Sequence, residues 1–268
     1  MTERSVLPYC GSPPLPSTLW FRWNADPILL AVLVAAAWLY WLGSRRAART
    51  PAVGTQSLFY AGWTIAAASL ISPLCALSVS LFAARLAQHM ILALVAAPLV
   101  AAGRPLEAYA AALGLGERPA APARPFFAAL LFGAMIWLWH APVPYAATFA
   151  SSSIYWLMHV TVFTSAFWLW SALVEPSRGA GALMPVLAGL MSSVQMGLLG
   201  ALITLSPRAF YAPHALTTMA WGLTPLQDQQ LGGSIMWVPG CIVFLVVAMF
   251  GLRRVLEPAR FLAGLVGP

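Results

Sequence analysis

Arg85-Leu-Ala-Gln-His-Met-Ile-Leu-Ala-Leu-Val-Ala-Ala-Pro-Leu-Val-Ala-Ala-Gly-Arg-Pro105 decides the fold. It is long enough to cross a bilayer, yet Arg85, Gln88, His89 and Met90 crowd its first turns. Ionisable groups inside an apolar span are costly and mark a functional site by default. The surrounding chain is equally apolar: of 268 residues 61% are hydrophobic and 8% charged, and mean hydropathy is +0.81. Soluble domains carry about a quarter charged residues, so this composition belongs in a membrane. A spanning segment must satisfy its own backbone, which leaves helices or a closed barrel. Continuous runs of about 20 apolar residues, without period-2 alternation, select helices.

Working outward from that stretch, seven spans are expected. Asn24-Ala-Asp26-Pro27 reads as a helix start, a cap followed by proline, and the first helix runs to about residue 42. The others cover about 57–77, 81–102, 125–140, 154–174, 182–205 and 225–252, the last opening on the cap Thr224 and Pro225. Ala-Pro-Val-Pro144 should stop the fourth helix. A short surface helix fits 106–113. Residues 206–226 are too rich in proline to span and too apolar for a solvated loop. The domain plan is an outer Pro-rich tail (1–24), a membrane domain (25–254) and a short cytoplasmic tail (255–268). The N-terminus lacks the charged-then-apolar pattern of a signal peptide.

All fourteen basic residues are arginine, against seven acids. They sit at helix ends rather than in a stripe, so they report topology and argue against nucleic-acid binding. Ten of them fall on the 1–2, 3–4 and 5–6 loops and the C-terminal tail. The positive-inside rule then puts the N-terminus outside and the C-terminus in the cytoplasm. Trp38/Trp41, Trp137/Trp139 and Trp168/Trp170 lie near helix ends, as interfacial anchors do. Cys10, Cys75 and Cys241 are far apart and form no CxxC, so neither a disulfide framework nor a zinc module is indicated.

In that topology His89, His140, His159 and His214 all fall on the outer side, His214 having the weakest claim to a site. Met90 and Met158 adjoin two of them, Met219 follows His214, and Met236 shares a helix face with Asp228. Imidazole plus thioether suits copper, above all Cu(I), while zinc would also accept the histidines. The plain alternative is that each histidine hydrogen-bonds a neighbouring helix and each methionine fills the core. Adjacent helical residues point about 100° apart, so His89 and Met90 cannot both face one centre. Arg85 shares the face of His89 and needs an acceptor, for which Asp228 is the nearby acid; Asp228 could equally sit favourably at its own helix N-terminus. Gly197, Gly200, Gly232 and Gly233 would let the last two helices approach closely. No P-loop, GxSxG, HExxH or GxGxxG motif is present, and no catalytic residue is assigned.

Several segments resemble the caa3-type cytochrome c oxidase assembly factor (CtaG) family. Gln88-His89-Met90 through Pro98, with Gly103-Arg-Pro105, is similar to its QHxxLxxxxxPLxxxGxP signature. Trp137-Leu-Trp-His140-Ala-Pro-Val-Pro-Tyr145 resembles its WxxHxPxxY segment, and Met158-His159 falls at its next histidine. Residues 200–211 resemble G-A-L-L-T-x-S…Y, and Asp228-Gln229-Gln230 through Trp237 its DQQ-x-x-G-x-x-M-W motif. The likeness runs from Leu70 to Arg254 in the right order. It implies a non-enzymatic factor in the bacterial cytoplasmic (inner) membrane that delivers copper to a haem–copper oxidase subunit. A periplasmic copper donor would be a further partner. Arg85, Gln88, Asp228 and Gln229 would support the site. Alternatives are a haem-binding redox protein with bis-histidine ligation, or a metal-free scaffold.

Overall fold

The structure, a computed structural model, describes residues 7–47, 52–115, 124–174 and 183–265. The loop residues Arg49, Glu117 and Arg118, the 175–179 turn and Arg4 of the tail lie outside them. Every regular element among the described residues is helical: α1 (Pro27–Arg46), α2 (Val53–Ile71), α3 (Pro73–Ser80), α4 (Phe82–Met90), a π-helical turn (Ile91–Ala96), α5 (Ala97–Ala102), α6 (Pro105–Ala112), α7 (Pro125–His140), α8 (Pro142–Ala150), α9 (Ser152–Val174), α10 (Leu183–Leu205) and α11 (Pro225–Leu265). Five helical stretches are long and apolar enough to cross a membrane, and seven if each of two bent pairs counts as one span.

Local chemistry sets the ends. Asp26 caps α1 by accepting from the N–H groups of Ile28 (2.8 Å) and Leu29 (3.4 Å), with Pro27 in the first position. At α11, Thr224 and Gln227 form a reciprocal capping box: the Thr224 N–H donates to Gln227 Oε1 (2.9 Å) and the Gln227 N–H to Thr224 Oγ1 (3.2 Å). Both starts agree with the sequence. α11 runs past the expected end near residue 252 to Leu265.

Proline changes two of the expected spans. The 57–77 helix is instead α2 and α3, bent by 52° at Ser72, which is extended (ψ 169°) ahead of Pro73. Pro142 stops α7, as expected, but also starts α8, which leaves at 71°. A residue before proline is pushed out of the helical region, and proline suits the first helical position, so each X-Pro step ends one helix and begins the next. A third proline, Pro98, has no N–H to give the Leu94 carbonyl. The helix widens to a π turn just before it, and the indole N–H of Trp170 donates to the nearby Ala93 carbonyl at 2.7 Å. Trp170 and Trp139, whose indole N–H reaches Thr161 Oγ1 at 2.9 Å, are thus buried. Their partners Trp168 and Trp137 are exposed, so one of each of these two pairs faces outward, whereas Trp38 and Trp41 are both exposed.

Successive spans alternate in direction. The ends of α2, α7 and α10 therefore meet the starts of α1, α4, α9 and α11 at one end of the bundle. The α4–α5 span is the most buried of the five single spans, packed by α11 and α3 at its start and by α2 and α9 further along. α10 and α11 lie against each other, with Gly200 directly under the Trp237 backbone, where a Cβ would collide. Gly232, expected in that same interface, packs instead on the Phe82 ring and the Ala83 backbone of α4. At the opposite end α6 lies across α1, tied by Tyr40 Oη to the Gly103 carbonyl (2.9 Å) and Arg46 to the Ala112 carbonyl (3.0 Å).

Candidate functional site: three buried histidines

His89 lies within α4, His140 is the last residue of α7, and His159 lies two turns into α9. Their rings converge: His89 is 5.3 Å from His159 and 6.2 Å from His140, centre to centre, both edge-on. All three are 3–5% exposed. The His140 Nδ1 is 2.7 Å from the Ile136 carbonyl, and the His159 Nδ1 is 3.0 Å from the Tyr155 carbonyl. A carbonyl only accepts, so each Nδ1 carries the proton, and each Nε2 of the neutral ring holds a free lone pair. Neither Nε2 has a partner, and both nitrogens of His89 are also unpartnered. Buried polar atoms are almost always satisfied; of the ten unpartnered ones among the described residues, these four belong to three rings in mutual reach.

A shared ion fits that arrangement. Two imidazoles bound to one metal at about 2 Å from each nitrogen hold their ring centres roughly 5 Å apart. The His89–His159 spacing meets this and the His140 spacing is about an ångström longer. Backbone acceptors at Nδ1 are the usual orienting partners of metal-bound histidine. Among the described residues, no three His, Cys, Asp or Glu side chains already converge tightly enough to enclose an ion. His140 must swing inward for all three to bind one.

Arg85, one turn before His89, is 2% exposed. Its expected partner was Asp228, and the structure corrects this. One guanidinium nitrogen donates to Thr148 Oγ1 at 2.8 Å, and the group lies over the rings of Phe149 (4.4 Å), Tyr145 (5.2 Å) and Tyr155 (5.5 Å). Asp228 instead accepts from the Phe82 and Ala83 N–H groups, capping α4, a different helix from its own. The first turn of a helix has N–H groups without intrahelical acceptors, and α4 follows the extended residue Leu81 with no cap of its own. That need outcompetes Arg85 for the carboxylate. Gln88 donates to the Ser69 carbonyl at 2.7 Å. Gln229 donates to the Ile203 and Arg208 carbonyls and accepts from the Phe210 N–H at 2.6 Å, fastening the 206–224 segment.

That segment, in two 3-10 turns, folds back over the histidine end with Tyr211, His214 and Thr218 inward and Leu216 and Met219 outward. Tyr211 Oη donates to the His140 carbonyl at 2.9 Å. His214 stands apart from the trio: its Nε2 is 2.6 Å from Tyr145 Oη, and its ring lies among Phe82, Tyr145 and Phe149. Burial, reinforced by the Arg85 charge, holds its pKa down at about 3. Met90, Met158 and Met236 pack in the apolar core.

Five contributors were not assigned from the sequence. Thr148, Phe149 and Tyr155 hold Arg85; Tyr145 and Tyr211 lie in the family-like segments but carried no role. One further surprise is a correction. Cys10 and Cys75 form a disulfide, where no pairing was indicated, because the tail folds back onto the α2–α3 bend. A groove of about 430 Å³ near α6, lined by Trp63, Tyr109, Phe163 and Phe167, holds none of the histidines.

The fold is that of a multi-pass helical membrane protein with a cluster of unsatisfied imidazoles near one end. Residues 38–257 match the family described as cytochrome c oxidase caa3 assembly factor, and the chain belongs to that family. No curated protein and no solved structure matches it.

Proposed function

We propose that this assembly factor carries Cu(I) on His89, His140 and His159 and passes it to a subunit of the oxidase. The observation that carries the reading is the pair of Nε2 lone pairs on His140 and His159, both buried, oriented by backbone carbonyls and unpartnered, beside a third histidine with no partner at all. An imidazole set without carboxylates or thiolates accepts copper and zinc alike, and membership of a cytochrome c oxidase assembly family favours copper. The close, edge-on rings favour a bare ion over haem, which needs a flat macrocycle between its two histidines. The role is binding and transfer, with no catalytic step.

The site faces outward in this reading, with the N-terminus outside the bacterial cytoplasmic membrane. The arginine distribution supports that orientation, and so does a disulfide at the histidine end, since disulfides persist in oxidising compartments. His214, bonded to Tyr145, acts in the roof over the site and not as a ligand.

Copper content and visible spectra of the purified protein, with His89→Ala, His140→Ala and His159→Ala variants, test this. Each variant should lose copper and fail to restore oxidase assembly in a deletion strain. Copper retained by all three, or a Soret band in the wild type, overturns the assignment. Variants without copper that still support assembly would instead establish a scaffold.

A further inference from the structure

Beside the histidine trio lies a second reactive pair that the copper role does not use. The N-terminal segment, residues 7–24, crosses the histidine end as a strap. Its one covalent tie is Cys10–Cys75. Elsewhere it is held without covalent bonds: Tyr9 Oη donates to the Asp26 carboxylate (2.6 Å) while its ring stacks on Tyr155 (4.8 Å) and meets Trp156 edge-on (5.1 Å), Ser80 Oγ donates to the Pro14 carbonyl (3.1 Å), and Asn24 donates from its N–H to the Ile71 carbonyl (2.8 Å) and from its amide to the Leu70 carbonyl (3.3 Å). Non-covalent contacts of this kind open and close reversibly, so the disulfide is the one tie that must be broken chemically to free the strap.

Tyr155 joins the disulfide to the site. Its hydroxyl lies 3.4 Å from Cys10 Sγ and 3.8 Å from Cys75 Sγ. Its ring lies 4.2 Å from that of His159, and its carbonyl holds the His159 Nδ1. Tyr9, next to Cys10, covers the other face of this tyrosine. Cys75 is fully buried whereas Cys10 is partly exposed, so an incoming thiolate reaches the Cys10 sulfur first.

We infer that Cys10–Cys75 is a redox-addressed latch: a dithiol reductant opens it, lifting the strap from Tyr155 and giving access to His159. The inference rests on the trio being the cargo site. In the exchange, the reductant's thiolate bonds to Cys10 Sγ as the S–S bond breaks, and Cys75 leaves as the thiolate. The Tyr155 hydroxyl and the Asn24 side-chain amide, 3.7 Å from Cys75 Sγ, are donors placed to receive that charge. The reductant's second thiol then displaces Cys10 from the mixed disulfide. Two thiols are formed on this chain, and the reductant leaves as a disulfide, so electrons and protons balance.

Diethyl pyrocarbonate labelling of His159, read by mass spectrometry, tests the latch without reference to metal. The full chain in detergent carries Cys241→Ser so that no other thiol responds, and dithiothreitol serves as the reductant. His159 should be protected in the oxidised protein and labelled roughly tenfold faster after reduction, with protection restored on reoxidation, as expected when labelling follows a local opening. The Cys10→Ser/Cys75→Ser variant should label at the fast rate without reductant. Equal labelling of oxidised and reduced protein overturns the latch even if copper binds. A redox-dependent rate in a protein that binds no copper leaves the latch standing and removes the copper role.

Discussion

Asp228 of α11 caps α4 across the helix interface: its carboxylate accepts from the Phe82 N–H at 2.7 Å and the Ala83 N–H at 3.1 Å. The helix so fixed carries Arg85, Gln88 and His89, so a residue remote from the trio sets its depth. Removing a cap costs about 1–2 kcal/mol, and two orphaned buried donors add to it. Asp228→Ala should therefore lower the thermal midpoint in detergent clearly more than Asp228→Asn, which keeps one acceptor. Equal midpoints for the two variants would contradict the capping role.

Arg85 places a positive charge one turn from His89, and among the described residues no carboxylate forms an ion pair with it. Such a charge disfavours a bound cation and would ease its release. Arg85→Met should tighten Cu(I) binding by roughly tenfold or more and slow its transfer to a chelator. Thr148 tolerates the change because its hydroxyl also donates to the Tyr145 carbonyl at 2.6 Å. Weaker copper binding in the methionine variant would refute the repulsion.

His214 predicts an acid-sensitive stability. Its folded pKa is about 3, against about 6.5 in an unfolded chain. Below pH 6.5 the unfolded chain takes up a proton that the folded chain refuses, so stability falls as pH falls. The loss approaches about 1.4 kcal/mol per pH unit and levels off near the folded value. Melting curves between pH 7.5 and 5 should show a shallower decline for His214→Phe than for the wild type. Parallel declines would count against a neutral, buried His214.

Trp170 is predicted to stabilise the π turn. Trp170→Phe keeps most of the buried ring but strands the Ala93 carbonyl, costing about 1–2 kcal/mol. The midpoint should drop, with amide exchange rising around residues 91–96. An unchanged exchange pattern would mean that the indole is not needed there.

Much of this was legible in the sequence, because hydropathy and caps are local. The boundaries of α7 and α10, the starts of α1 and α11, and the placing of four histidines at one end all follow from runs of 15 or more apolar residues and their flanking Asp-Pro and Thr-Pro pairs. What could not be read was who meets whom. Arg85 and Asp228 looked like natural partners by charge, yet the carboxylate answers α4's uncapped N–H groups and the guanidinium answers aromatic faces. The Cys10–Cys75 bond joins a tail to a helix bend 65 residues away, a distance at which spacing carries no signal. Pro73 and Pro142 were visible, but whether proline ends a span or bends it depends on whether the neighbours can house a second short helix.

The π turn between α4 and α5 has one more consequence. A wide turn advances the helix out of phase, so one continuous rod presents different compass bearings above and below residues 91–96. Above it the rod answers to α3 and α11, and below it to α2 and α9. The single most buried span thus behaves as two components on one axle. Its histidine-bearing half can be retuned by substitution while the half that anchors the bundle stays in register.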